Sequence, residues 1–135
     1  MKTVNEYIAA GDLRISQPCV QKLARSRSYE VRRRLAENAS TPYEVLVDLL
    51  HDTHGDVRLG LSFNPVVQRP FLEELVRDDD VDVRFGLAEN TALPVDLLEV
   101  LSRDDNPYVS SRAKRTIEIV LPIVEQILPS YSVAA

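Results

Sequence analysis

The strongest constraint on this chain is a period. The pair Val-Arg occurs at Val31-Arg32, Val57-Arg58 and Val83-Arg84, each step being 26 residues, and the next step reaches Val109-Ser110, which keeps the valine and loses the arginine. Leu35, Leu61, Leu87 and Ala113 fall at the same spacing, as do Asn38, Asn64, Asn90 and Thr116. So do Val20, Leu46, Leu72 and Leu98, then Leu23, Leu49, Leu75 and Leu101, then Ser26, Asp52, Asp78 and Asp104. Four ungapped repeats, 13–38, 39–64, 65–90 and 91–116, therefore fill most of the 135 residues, with 1–12 and 117–135 left as ends. A period of this length marks a repeat architecture, in which no unit buries its apolar face alone and each stacks on its neighbours.

Each repeat reads as two short helices. The first carries apolar residues at i, i+1, i+4 and i+5, such as Val45, Leu46, Leu49 and Leu50 or Phe71, Leu72, Leu75 and Val76. That spacing makes one helical stripe, whereas a strand would send it to both faces. Thr41-Pro42-Tyr43-Glu44 predicts a helix start with Thr41 as N-cap, Pro42 at the first helical position and Glu44 closing a capping box. The second helix is expected after Ser28, His54, Asp80 or Asn106, three of which are strong N-cap types. Glu30, Asp56 and Asp82 follow in its first turn, at the positive end of the helix dipole. Asn38, Asn64 and Asn90 stand at its end, where asparagine tolerates a left-handed C-cap. Gly60 and Gly86 share a column inside this helix at an intrinsic cost of about 1 kcal/mol each, which implies close approach of a neighbouring helix. Thr3-x-x-Glu6 predicts a capping box opening an N-terminal helix with Val4, Tyr7 and Ile8 on one side and Gly11 as its stop. At the other end the last helix is expected to run on through Ile117, Val120, Val124 and Ile127 and to kink at Pro122. No segment alternates as a strand does. The predicted fold class is all-α, a single domain over residues 1–135 built as a short α-solenoid of four helix pairs with a capping helix at each end.

The string Val-Arg-x-x-Leu-Ala-x-Asn, followed by Thr-Pro-x-x-x-Leu-x-x-Leu, resembles the bacterial leucine-rich repeat variant family and, more loosely, HEAT-like helical repeats. The closest stretches are Val31 to Leu50 and Val83 to Leu101, and the pattern covers about residues 13–116. The resemblance implies short helices stacked in two layers as a right-handed superhelix, one layer having 3₁₀ character. The period of 26 is longer than is usual in that family, which points to ordinary α-helix in both layers. The cysteine cluster with which one member of the family holds an iron–sulfur centre is missing. Cys19 stands instead in the column of Val45, Phe71 and Leu97, where a thiol is expected to pack as a small buried hydrophobe.

Arg32, Arg58 and Arg84 occupy one column, and Asp52, Asp78 and Asp104 another. The expected role is structural, a ladder in which guanidinium groups bridge carboxylates and helix ends of adjacent repeats. The alternative is a charged groove for an extended ligand, but a motif present in every unit is more often scaffold than site. His51 and His54, with Asp52 and Asp56 near, have the spacing of a metal pair yet flank a helix end and lack a third neutral ligand, so no metal site is expected and His54 is read as a cap. The four glycines, Gly11, Gly55, Gly60 and Gly86, form no phosphate loop. No Ser-His-Asp or Cys-His arrangement can be assembled, and tryptophan is absent. No catalytic residue, no cofactor and no enzymatic activity are expected.

The formal charge of −5 hides a strong asymmetry. The first repeat sets Arg14, Lys22, Arg25, Arg27, Arg32, Arg33 and Arg34 against Glu30 and Glu37, a net of +5. The second and third repeats carry −3 and −4, including the run Asp78-Asp79-Asp80, and the fourth balances. Arg14, Lys22, Arg25, Arg27, Arg33 and Arg34 are therefore the candidate binding surface, facing an acidic protein or a phosphate backbone. A composition of 44% hydrophobic and 27% charged residues is that of a folded globular chain. No apolar run is long enough to span a bilayer, the first residues form no apolar leader, and a single cysteine forms no internal disulfide, so a cytoplasmic location without a membrane partner is expected. In the last helix Ile117, Ile119, Val120, Leu121, Ile123, Val124, Ile127 and Leu128 surround the axis too fully for one stripe, and Ile119 and Ile123 project away from Val120 and Val124. A homodimer through Ile119 and Ile123 is expected to cover them, the alternative being a helix bent back at Pro122. The expected function is a non-enzymatic binding module for another protein whose identity the sequence does not give. The alternative is nucleic-acid binding through the basic first repeat.

Overall fold

A computed structural model describes residues 1–127, so Leu128 and the remainder of the expected 117–135 cap lie outside the described residues. Among the described residues there are nine α-helices, one 3₁₀ turn and no strand: α1 (Lys2–Ala10), α2 (Gln17–Leu23), α3 (Tyr29–Ala36), α4 (Tyr43–Leu50), α5 (Gly55–Gly60) running into a 3₁₀ turn at Leu61–Phe63, α6 (Arg69–Leu75), α7 (Val81–Ala88), α8 (Val95–Leu101) and α9 (Pro107–Ile127). The chain is all-helical. The helices obey the sequence period, since α2, α4, α6 and α8 begin at residues 17, 43, 69 and 95, and α3, α5, α7 and α9 at 29, 55, 81 and 107. No helix among them is long and apolar enough to cross a membrane.

Two compact halves divide the chain, Met1–Leu72 and the part from Glu73 onward, the boundary falling inside α6. In the first, α3 packs on α5 and α1 on α3, and the buried residues are those of the repeat columns, among them Val20, Leu23, Val31, Leu35, Leu49, Val57 and Leu61. In the second, α9 packs on α7 and α8, burying Leu75, Val83, Leu87, Leu98, Leu101, Val109 and Ala113. Helices this short are marginal alone, so their stability comes from this packing.

The second helix of every repeat is capped from one column. Ser28 Oγ accepts from the Val31 N–H at 3.4 Å, His54 Nδ1 from Asp56 at 3.2 Å, and Asp80 Oδ1 from Asp82 at 2.9 Å. Asn106 Oδ1 accepts from both Tyr108 and Val109, at 2.9 and 3.3 Å. Gly60 does mark a close approach: a Cβ there would lie 3.1 Å from Arg33 Cγ and 3.3 Å from the Arg33 carbonyl oxygen, where α5 crosses α3.

Other local expectations are corrected. The asparagines are not left-handed caps, for no described non-glycine residue has a positive φ. They act as brackets. Asn38 Nδ2 donates to the Ala10 and Asp12 carbonyls at 2.8 and 2.9 Å, and Asn64 Nδ2 to those of Ala36 and Asn38 at 2.8 and 3.0 Å. Their Oδ1 atoms meanwhile accept from the N–H two residues on, Ser40 and Val66. In the fourth repeat Thr116 takes over with its hydroxyl, 2.6 Å from the Ala88 carbonyl. The carbonyls left over at a helix end are thus met by the following repeat, and no left-handed turn is required. Thr41 does not cap α4, whose N-cap is Pro42. It is buried, and its hydroxyl donates to the Leu35 carbonyl at 2.7 Å, serving the end of α3 instead. The Thr3–Glu6 box does not form because α1 begins upstream of Thr3, with Met1 as an N-cap that offers no side-chain oxygen. Val4, Tyr7 and Ile8 are exposed, since α1 meets its neighbours through the small side chain of buried Ala10. Cys19 is only half-buried, unlike Val45, Phe71 and Leu97 in its column, because α1 packs mainly on α3 and covers α2 less. As expected, α9 runs on through Pro122 to Ile127, although proline has no N–H to give the preceding turn.

Candidate functional site

The arginine and aspartate columns are engaged with one another and with the main chain. Arg32 makes a bidentate contact with Asp52, Nε to Oδ2 at 2.7 Å and Nη2 to Oδ1 at 3.1 Å, while its Nη1 donates to the Ser26 carbonyl at 2.7 Å. Arg84 repeats the pattern with Asp104 at 2.8 and 3.4 Å and with the Asp78 carbonyl at 2.7 Å. Arg58 Nη1 donates to the Asp52 carbonyl at 2.7 Å. The carboxylates also organise the loop before the next helix: Asp52, Asp78 and Asp104 each accept from the N–H two residues on, at 2.9 Å. The hydrogen bond that Arg32 donates to Asp52 holds its guanidinium pKa above its already high range. Burial pushes the Asp104 carboxyl up, but the hydrogen bonds from Arg84 and the Asn106 N–H, with the guanidinium charge, outweigh it and leave Asp104 below its ordinary 3.8. Three nitrogens of each of Arg32 and Arg84 are occupied by protein acceptors, so these columns tie elements together and offer little to a ligand.

The basic residues of the first repeat fall into three groups. Lys22, Arg25 and Arg27 surround a hollow of about 490 Å³ at the end of α2 together with Lys2, Thr3, Glu6, Ser26 and Ser28. Arg33 and Arg34 line a separate hollow of about 380 Å³ with Tyr7, Tyr29, Glu30, Glu37 and Asp56. There both arginines are drawn to Glu37, Arg33 Nε at 2.9 Å and Arg34 Nη1 at 3.8 Å. Arg34 also sits over the Tyr7 ring, 5.5 Å from its centre, a favourable cation–π geometry. Tyr29 stacks flat on His54 at 3.8 Å between ring centres, and the Glu30 charge beside it pushes its phenol up. Arg14 stands apart in the loop after α1, 3.5 Å from Asp12, and is almost fully exposed. His54 directs Nδ1 to the Asp56 N–H, whereas His51 Nδ1 lies 3.0 Å from the Val47 carbonyl, so the two rings do not converge. Sequence reasoning missed Lys2, Tyr7 and Tyr29. Lys2 and Tyr7 lie outside the repeat register, and only the packing of α1 brings them to these hollows.

The C-terminal helix buries one line, Val109, Ala113, Thr116 and Val120. The line Ile119, Ile123 and Ile127 stays 50%, 54% and 71% exposed. A large apolar stripe is therefore present on α9, with Ile119 and Ile123 in it. No family model, no curated protein and no solved structure matches this chain.

Proposed function

We propose that this chain is a non-enzymatic, cytoplasmic protein-binding module. In this reading its four 26-residue helix pairs stack as a short right-handed solenoid of the leucine-rich repeat variant or HEAT-like kind, closed by α1 and α9. Support for the stacking comes from contacts that recur in register, the asparagine brackets at Asn38 and Asn64 and the arginine forks at Arg32 and Arg84. The binding role is carried by one observation, the exposed stripe Ile119, Ile123 and Ile127. Spaced i, i+4 and i+8, these side chains lie one above another over about 12 Å of helix. Large aliphatics gathered in this way mark an interaction surface. The partner we propose for it is a second copy, since a two-fold axis sets each stripe against its own image and covers both. Sedimentation velocity at micromolar concentration tests this. A dimer is expected, and Ile119→Asp combined with Ile123→Asp is expected to give a helical monomer; a strict monomer for the unaltered chain overturns the pairing.

A second reading, nucleic-acid binding through the first repeat, is favoured by the gathering of Lys2, Lys22, Arg25 and Arg27 around one hollow. Four phosphate contacts predict a log–log salt slope of about −3 to −4 on duplex DNA. Binding that ignores salt, or no binding at low salt, refutes it.

A further inference from the structure

The first turns of α9 form a hollow of about 580 Å³ lined by Pro107, Tyr108, Ser111, Arg112 and Arg115. Positions 108, 111, 112 and 115 are spaced i, i+3, i+4 and i+7, which puts them on one helical face. The equivalent face of the first repeat is neutralised, because Glu37 draws in both Arg33 and Arg34 and Glu30 and Asp56 line the same hollow. In the 26-residue register Arg112 takes the place of Arg34, Ser111 that of Arg33, and Arg115 that of Glu37. The fourth repeat has thus exchanged its neutralising acid for a second cation. No acid lines the hollow. The Nε of Arg112 is buried and has no acceptor among the described residues, which is an uncommon state for a charged donor. Tyr108 on the same face is 75% exposed.

We propose that this hollow binds a nucleoside monophosphate. Arg112 and Arg115, with the Ser111 hydroxyl, supply donors for the three terminal oxygens of a phosphomonoester, and two guanidinium groups match its double negative charge. A carboxylate would occupy one fork and leave the other empty. Tyr108 offers a free ring face on which the base stacks, the arrangement that binds bases without reading their edges. Purine and pyrimidine monophosphates are therefore expected to bind alike.

The test is a titration of the whole chain with AMP, UMP, adenosine and inorganic phosphate, followed by amide NMR. Saturable binding of both nucleotides is expected, with shifts concentrated in residues 107–116 and adenosine much weaker. Arg112→Gln and Arg115→Gln are each expected to weaken AMP at least about tenfold. Arg115 is exposed, so a loss at that position does not trace to misfolding; thermal melts of each variant check this. Tyr108→Ala is expected to weaken AMP about fivefold or more while leaving inorganic phosphate unchanged. The proposal fails if AMP binds no better than phosphate, if neither arginine variant matters, or if the shifts fall on Lys22, Arg25 and Arg27 instead. It also fails if an unphosphorylated oligonucleotide or a phosphotyrosine peptide binds more tightly than AMP.

Discussion

Replacing Asn64 by alanine removes three hydrogen bonds at one position, two of them buried. Its side-chain amide donates to the Ala36 and Asn38 carbonyls at 2.8 and 3.0 Å, its Oδ1 accepts from the Val66 N–H at 3.0 Å, and the residue is 3% exposed. Alanine leaves the buried Ala36 carbonyl without its side-chain donor, takes one of two donors from the Asn38 carbonyl, which keeps the Thr41 N–H at 3.0 Å, and frees the part-buried Val66 N–H. An orphaned buried group costs about 1–3 kcal/mol, while the half-satisfied Asn38 carbonyl and the part-buried Val66 N–H cost less, so about 2–4 kcal/mol is expected in total. Against a usual stability of about 5–15 kcal/mol this is a large fraction. Urea unfolding followed by far-ultraviolet circular dichroism is the assay, since the chain has no tryptophan. With a slope of about 2 kcal/mol per molar, the midpoint is expected to fall by about 1–2 M. Asn64→Asp sharpens the test. It keeps the size and the acceptor for Val66 but turns a donor into a carboxylate facing two carbonyls, so it is expected to cost at least as much as alanine. An aspartate variant within about 1 kcal/mol of the parent would refute the bracket as the source of stability.

Asp104→Asn is expected to cost about 1–2 kcal/mol at neutral pH by weakening the fork with Arg84. Asp104 titrates below its ordinary 3.8 in the folded chain, so its contribution is complete above that value and fades as the pH falls through the lower, folded one. A stability–pH profile of Asp104→Asn is therefore expected to lie parallel to the parent near neutrality and to converge on it in acid. Gly60→Ala, which in an open helix would gain about 1 kcal/mol, is expected to gain nothing, because its Cβ meets the Arg33 carbonyl oxygen at 3.3 Å; thermal melts read this directly. His54→Ala is expected to cost about 1 kcal/mol through loss of the α5 cap, and His54→Asp to restore it.

How much of this was legible depends on whether a residue's partner lies nearby in the chain. The cap column Ser28, His54, Asp80 and Asn106 can be read from sequence because each side chain bonds an N–H two or three residues away. Helix starts 26 residues apart follow from the same locality. Asn64 was legible as a column and misread as a cap, for its partners lie 26 and 28 residues back, where no local rule reaches. Cys19 shows the limit of the register: its column is buried only where a preceding repeat covers it, and the first repeat has only α1 before it. The basic surface was read as one patch from a count of charges, but Glu37 engages Arg33 and Arg34 while Lys2, outside the register, joins Lys22, Arg25 and Arg27. The net charge of a repeat says nothing about which cations already have partners.

The asparagine brackets bear on how such a chain can grow. Asn38 and Asn64 grip carbonyl oxygens of the main chain, not side chains. Every amino acid has that oxygen, so the joint makes no demand on which residues the neighbour carries. Duplicating or deleting one 26-residue unit would leave the joint chemically intact at both new ends. A side-chain-to-side-chain joint such as Arg32 with Asp52 would need both members of the pair to survive. Thr116 fits the same logic: any side chain that can donate one hydrogen bond at that column keeps the last unit attached. The outward faces of the helices are then free to diverge from unit to unit, which is the condition under which one scaffold comes to hold an apolar stripe at one place and a cationic hollow at another.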